Sequence, residues 1–266
     1  MKQNKFSIIT VVKNDVLNIQ LTINSVRKQN YKKYEHIILD GNSSDGTSEL
    51  ILKNKNKNKK IRYIRKKDKN LYDAINKGIL KTKGDYILLI HSGDFFFNDN
   101  VLTLINSFLQ KNEDFIYGNL IFYKRFSLGR VWKIGQKKLS KFNAFKIPHP
   151  TLVIKKKIAR KLKYNISYSI SSDTEYLIKL LNKKRLKFNY VNKHFIYMLS
   201  GGTSTSFKNL FNKMFEDLKI YLFHYKILGI IIYIFKIFSK LDTYFNINSN
   251  SKNYNKFFKQ YNKVIK

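Results

Sequence analysis

Residues 83–97, Lys83-Gly84-Asp85-Tyr86-Ile87-Leu88-Leu89-Ile90-His91-Ser92-Gly93-Asp94-Phe95-Phe96-Phe97, decide the fold. Tyr86 to Ile90 is an unbroken apolar run of strand length, opened by the turn pair Gly84-Asp85 and closed at Ser92-Gly93, which is how a strand buried on both faces reads. Ligands of open α/β sheets bind beyond the carboxyl ends of the strands, so Asp94 stands where a metal-bound phosphate would lie. Taken alone, an Asp after Gly reads as a turn residue, and its context has to supply the rest.

Upstream, Phe6 to Val12 is a β-branched strand ended by Lys13-Asn14-Asp15, and Ile19, Ile23 and Val26 recur at helical spacing through Gln29. Glu35 to Leu39 is a second strand, followed by the turn-rich Asp40-Gly41-Asn42-Ser43-Ser44-Asp45-Gly46-Thr47 and a short helix through Leu52. Lys53 to Lys60 alternates Lys and Asn and reads as a solvated basic loop. Arg62 to Arg65 is a third strand, and the segment from Asp68 to Thr82 holds a helix that turns Ala74, Ile75 and Ile79 inward. Beyond Asp94, Val101 to Leu109 is a helix capped by Asn98 or Asp99. The order βαβαβαβα predicts a mainly parallel, doubly wound sheet with helices on both faces.

The second half is less regular. Phe115 to Phe122 is a strand carrying Tyr117-Gly118-Asn119, with a hairpin turning near Gly129. Pro148-His149-Pro150 breaks the chain before a strand at Thr151 to Ile154, and Ser171-Ser172-Asp173-Thr174-Glu175 opens a helix. Phe188 to Val191 and Phe195 to Leu199 read as edge strands, and Gly201-Gly202-Thr203-Ser204 as a loop. From Phe207 the chain becomes helical, aromatic and basic. Its apolar centre, Ile227 to Phe238, is about 18 Å long as a helix, short of the roughly 30 Å of a hydrocarbon core. It is expected to lie in a membrane interface, with Lys219, Lys226, Lys236 and Lys240 meeting anionic headgroups, or to pack back on the domain.

The 266 residues, 43% of them apolar, suffice for one sizeable α/β domain with an appendage. The basic start leads into a first strand at Phe6 with no small-residue cleavage site, the pattern of a strand and not of a signal peptide. Cysteine is absent, which excludes disulfides, thiolate zinc sites and thiol catalysis and fits a cytoplasmic setting. Fifty-two Lys and Arg against 17 Asp and Glu give a net charge of +35, an attraction to phosphate-rich partners that does not choose among nucleic acid, anionic membrane and phosphorylated substrates. Abundant Lys, Asn, Ile, Phe and Tyr fit an AT-rich genome, which would raise Glu as well; the shortage of acids is therefore a property of the protein.

Four pieces, taken in order, resemble the family 2 glycosyltransferases of the GT-A fold, in particular bacterial polysaccharide enzymes related to the colanic-acid transferases. They are the first strand with Lys13-Asn14, Leu39-Asp40 through Thr47, Leu71-Tyr72-Asp73-Ala74-Ile75-Asn76-Lys77-Gly78, and Gly84-Asp85-Tyr86 through Asp94. The likeness covers residues 6–204 and is most specific from 39 to 94. It implies a GT-A domain over 1–206, with a nucleotide-binding half at 1–100 and an acceptor half at 101–206, and a helical C-terminal region at 207–266. It implies an inverting transfer from a nucleotide-diphosphate sugar, UDP-linked by expectation, to a glycan or polyprenyl-linked acceptor in cell-surface polysaccharide synthesis, on the inner face of the plasma membrane.

In that resemblance Asp40 and Asp73 hold the nucleoside, Ser92 and Gly93 line the donor, and Asp94 binds Mn²⁺ or Mg²⁺. Asp173 is the general base toward the acceptor hydroxyl, with Glu175 as fallback. His149, Asn119 and Gly202 are implied contacts to acceptor or diphosphate, the last in a loop that closes over the donor. The sequence departs from the family where His91 and Gly93 replace acids before Asp94 and where Ser172 replaces the first acid of a pair. Three other readings stand beside this one. A nucleic-acid-binding protein would use the basic and aromatic residues but needs no acids at strand ends. A sugar nucleotidyltransferase would want a glycine-rich, basic triphosphate loop after the first strand. A catalytically degenerate transferase would keep the fold without turnover.

Overall fold

A computed structural model describes residues 2–124, 127–132, 139–201, 209–245 and 251–265. The first half alternates as the apolar runs demand: β1 (Phe6–Val12), α1 (Val16–Arg27), β2 (Tyr34–Asp40), α2 (Thr47–Lys57), β3 (Ile61–Arg65), α3 (Leu71–Lys81) and β4 (Tyr86–Leu89). The two-residue β5 (Phe95–Phe96), α4 (Val101–Phe108), β6 (Phe115–Lys124) and β7 (Ser127–Trp132) follow. After two 3-10 turns at Lys141–Lys146 and His149–Thr151 come β8 (Val153–Lys155), α5 (Lys156–Leu162), α6 (Ser172–Leu181) and β9 (Phe188–Leu199). The chain closes with α7 (Leu210–Tyr225), α8 (Leu228–Phe245) and α9 (Ser251–Ile265).

The strands form one sheet in the order β3-β2-β1-β4-β8-β6-β9-β5, with β7 hydrogen-bonded to β6. From β3 to β4 every pairing is parallel. The second half mixes directions: β8 runs antiparallel between β4 and β6, whereas β6 and β9 are parallel. Because β2 and β3 lie on one side of β1 and β4 on the other, the connections reverse between β1 and β4. That is the switch point at which open sheets bind ligands.

Side-chain alternation along the strands builds two covers. Ile9, Ile37, Leu39, Ile87 and Leu89 pack on one face against Tyr72, Ile75 and Ile79 of α3 and Tyr176 and Leu177 of α6. Phe6, Ile8, Tyr86 and Leu88 pack on the other face against Val26 of α1 and Leu102 and Ile105 of α4. Helices therefore lie on both faces, as expected for a doubly wound sheet.

Several boundaries differ from the sequence reading. The Lys/Asn run does not begin a loop at Lys53, because α2 continues to Lys57 with buried Asn54 bonded to Gln20 of α1 and to the Leu50 carbonyl. Neither Asn98 nor Asp99 caps α4; its N-cap is Asn100, and Asp99 instead receives Gln260 and Lys263 of α9. Gly129 lies within β7, which pairs with β6 as far as Lys124 opposite Ser127, so the hairpin does not turn near Gly129. The two expected edge strands are a single strand, β9, lying between β6 and β5. Its polar middle, Asn192 to His194, is where the register with β6 shifts, because Gly118 lies so close to Lys193 and Phe195 that an added Cβ would meet the Phe195 ring at 2.8 Å.

The C-terminal helices return to the domain. Asp217 of α7 reaches Thr174 of α6, and Phe257 and Val264 of α9 are buried with Leu21, Phe95, Tyr123 and Tyr197. Lys236 is not available to a membrane surface: it is buried and paired with Asp217 at 2.8 Å, both side chains 5% exposed. An ion pair so placed persists because each charge compensates the other's desolvation. Among the described residues, no helix is long and apolar enough to cross a membrane.

Candidate functional site

β4 and the bend after it bring the decisive groups to the switch point. Strand alternation puts His91 on the same face as Ile87 and Leu89, toward α3 and α6, so the position could have been picked out from the period of two. Gly93 has φ +87, and an added Cβ would meet Leu199 Cδ2 at 2.7 Å. The positive φ favours glycine here and would strain any other side chain, an acid included, while Leu199 would have to shift. Tyr123 donates its hydroxyl to the Gly93 carbonyl and Thr22 donates to the carbonyls of His91 and Asp94, fixing the bend.

Asp94 is 3% exposed. One carboxylate oxygen accepts the Leu199 N–H at 3.0 Å, and the other, Oδ2, is buried with no partner. Burial pushes its carboxyl up to about 7, against the backbone hydrogen bonds from Leu199 and His91, and nearby Asp15 adds to the rise. His91 Nδ1 and Ser92 Oγ are likewise buried without partners. Three orphaned polar atoms in four residues are costly in a core and sensible at a ligand site.

Facing this bend are His149 and Asp173. His149 is buried in its 3-10 turn with Nε2 2.6 Å from the Tyr164 hydroxyl, and Tyr164 stacks on Tyr176 at 4.1 Å. Burial pulls His91 down to about 4; neighbouring His149 works in the same direction and Asp173 opposes it. His149 is also lowered by burial and also feels Asp173, so the two imidazoles and this carboxylate form one neighbourhood of uncharged rings beside an acid. Asp173, at the first turn of α6, accepts the Thr174 N–H at 2.8 Å and lies 3.5 Å from the Tyr72 hydroxyl. The structure therefore brings His91, His149 and Asp173 together, and His91 joins them in sequence to Ser92-Gly93-Asp94, whose carboxylate has Asp15 as its charged neighbour.

The other candidates are engaged differently. Asp40 is fully buried and accepts four hydrogen bonds, from Ser43 N at 2.8 Å, Ser43 Oγ at 2.6 Å, Tyr63 at 2.7 Å and Ser48. Burial opposes its charge, but these donors hold the carboxyl below its ordinary range. With its acceptor sites filled, Asp40 organises residues 40–48, and a base edge would reach it only by replacing one of these donors. Asp73 accepts Lys69 N at 3.0 Å and pairs with Lys77 at 2.7 Å, helping to start α3 beside the true N-cap, Asn70. Asn119 has both ends of its amide occupied, by Tyr190 and Asn192. Glu175 turns to the α7 side, where it pairs with Lys179 at 2.8 Å and approaches His224 at 3.6 Å, so it does not share the Asp173 neighbourhood as a fallback base. Gly202 lies outside the described residues; β9, which leads to it, ends where Leu199 binds Asp94.

Asp15, Tyr72 and His91 were not among the expected site residues. Asp15, the N-cap of α1, carries its carboxylate to the Asn18 amide at 2.6 Å and close enough to influence Asp94. Among the described residues, no three metal-ligating side chains cluster. The donor set still fits a hard divalent cation: a single buried carboxylate oxygen without a partner, completed by diphosphate oxygens and water, is how Mg²⁺ or Mn²⁺ binds at nucleotide sites.

Comparison with known proteins gives a consistent result. The model of the glycosyl transferase family 2 matches residues 7–177. An uncharacterized glycosyltransferase of Rickettsia bellii is 35% identical over 119 residues, an alignment covering 45% of this chain but only 17% of that protein. One from Mycobacterium tuberculosis is 28% identical over 179 residues, covering 65% of this chain and 67% of the other. Among solved structures, S. aureus TarS 1–349 in complex with UDP superposes with a TM-score of 0.64 at 17% identity, over 82% of this chain and 65% of that one. A mannosyltransferase of Pyrobaculum calidifontis in complex with GDP-Man and Mn²⁺ gives 0.59 at 10% identity, over 100% and 86%. At these identities the structures establish a shared fold.

Proposed function

The chain belongs to glycosyl transferase family 2, and from this premise we propose that it is a glycosyltransferase that transfers a sugar with inversion from a nucleotide-diphosphate donor to a hydroxyl of a glycan or polyprenyl-linked acceptor. UDP is the preferred nucleotide, and bacterial cell-surface polysaccharide synthesis is the setting. The observation that carries the reading is the set of unpartnered buried atoms on His91, Ser92 and Asp94 at the switch point, with Asp173 near His91. The donor diphosphate sits over Ser92-Gly93-Asp94, with the nucleoside toward the loop that Asp40 organises and toward Asp73. Asp94 would hold a divalent cation, which when bound would supply neutralisation of the charge that develops on the leaving diphosphate.

In the transfer, the acceptor oxygen bonds to the anomeric carbon as the bond to the diphosphate breaks, and Asp173 takes the hydroxyl proton. His91, kept neutral by burial, offers a ring nitrogen as a hydrogen-bonding group without adding positive charge beside the cation. His149 lines the acceptor side. Residues 1–100 thus serve the donor, and the second half serves the acceptor. Metal-dependent binding of a nucleoside diphosphate is the test.

The place of action is the inner face of the membrane. Phe211, Phe215 and Phe223 of α7 and Ile227, Ile231 and Phe235 on the turn and α8 are between 58 and 77% exposed, a contiguous apolar character that a water-facing helix pair does not need. Lys219 and Lys226 accompany them, matching anionic headgroups. The protein should co-sediment with phosphatidylglycerol vesicles, and Phe223→Asp with Ile231→Asp should weaken that binding about tenfold or more, since each change forfeits burial worth ~2 kcal/mol. Equal binding by the double variant would remove this surface from the account.

A further inference from the structure

α6 carries the proposed base, yet its N-cap residue Ser171 makes no side-chain capping bond. The turn before it is held from another element, outside the family match. Glu216 of α7 accepts four hydrogen bonds from this turn: Ser169 N at 2.7 Å and Ser169 Oγ at 2.8 Å on Oε1, and Ile170 N at 2.9 Å and Ser171 N at 2.8 Å on Oε2. Next to it, Asp217 accepts Thr174 Oγ1 at 3.1 Å and pairs with buried Lys236. From the opposite side Tyr72 donates to the Ile170 carbonyl. Residues 169–174 are thus gripped at both ends of the turn that delivers Asp173.

We propose that Glu216 is a positioning residue for catalysis: its carboxylate gathers the N–H groups of residues 169–171, the turn that leads into α6, and so aims Asp173 at the acceptor site. The inference rests on the reading of Asp173 as the base. These donors lie at and before the N-cap Ser171, beyond the reach of an N-cap side chain, and a carboxylate beside a helix start also favours the positive end of the helix dipole. A carboxylate supplies four acceptor sites, whereas an amide at position 216 would turn an NH₂ toward backbone donors and lose half of them.

The test compares wild type, Glu216→Gln and Glu216→Asp by amide hydrogen exchange and by UDP release from UDP-GlcNAc, with thermal unfolding run alongside. Exchange at residues 169–171 should speed up about tenfold or more in Glu216→Gln while β1 and β4 stay protected. UDP release should fall about tenfold in kcat with KM for UDP-GlcNAc unchanged, and the same change should cost nothing further in an Asp173→Asn background, because it acts through Asp173. Unchanged exchange at 169–171 overturns the proposal whatever the donor is. So does a loss in the Asp173→Asn background equal to that in wild type, which would mark a general structural effect. Glu216→Asp, which keeps the charge but shortens the reach, should fall between the two and serves if Glu216→Gln does not fold. If wild type neither binds nor cleaves UDP-GlcNAc, GlcNAc is excluded as the donor sugar, and the exchange measurement still decides whether Glu216 holds the turn.

Discussion

Replacing Asp94 by alanine is expected to cut sugar transfer by about a thousandfold and to abolish metal-dependent stabilisation by the nucleotide, because in the proposed mechanism one carboxylate oxygen would be the protein's hold on a cation that balances the leaving diphosphate. The variant should fold. Asp94 is buried with its carboxyl at about 7 against an ordinary 3.8, so in the metal-free protein its ionisation is a cost to the fold, not a support. That cost accumulates as pH rises from 3.8 to about 7 and is complete above it, since the folded state holds the proton that the unfolded state has released. Asp94→Ala should therefore be at least as stable as wild type above neutral pH when metal is left out, apart from the lost acceptor for Leu199 N–H. Metal competes with the same proton, so metal-dependent nucleotide binding by wild type should strengthen from about pH 6 to about pH 8. A transfer rate unchanged in Asp94→Ala would detach this residue from the chemistry.

The second large effect is expected at Asp173. Asparagine keeps the shape and can still accept the Thr174 N–H that Asp173 accepts at 2.8 Å, so the start of α6 should survive with a stability change of about 1 kcal/mol or less. It cannot take a proton. Turnover should drop by roughly 10²–10⁴-fold with nucleotide affinity retained, the signature of losing a group used in the transition state and not in donor binding. Steady-state rates at saturating donor, with nucleotide affinity measured separately, check this. Parallel loss of both would indicate that Asp173 is holding the site together instead.

The parallel half of the sheet could be read from sequence because each strand is a short buried run followed by a polar turn, and because Asp40 and Asp94 fall at strand ends. What Asp40 does there could not be read: its four donors come from residues 43, 48 and 63, and only the fold brings Tyr63 beside β2. The split reading of β9 has a similar origin. Asn192-Lys193-His194 looks like a turn, but Gly118 on the neighbouring strand gives it room to bulge and continue. The antiparallel insertion of β8 between β4 and β6 leaves no local signature in three residues. At the proposed site, Asp94 was pointed to by the order of the motifs and Asp173 by the family resemblance, whereas His91 could have been picked out by alternation along β4. Glu216, some forty residues after the turn it grips, and the return of Phe257 onto Phe95 depend on tertiary contacts alone.

The measurement that bears most directly on the donor site is thermal unfolding of the wild-type protein with UDP, GDP, dTDP or CMP, each with and without Mn²⁺. One nucleoside diphosphate, UDP by this account, should raise the melting temperature by several degrees only when metal is present, as binding at about a hundred times Kd contributes ~2.7 kcal/mol. No response to any nucleotide, together with tight, salt-sensitive binding of RNA or DNA, would contradict the account and leave the +35 charge as the footprint of a nucleic-acid partner.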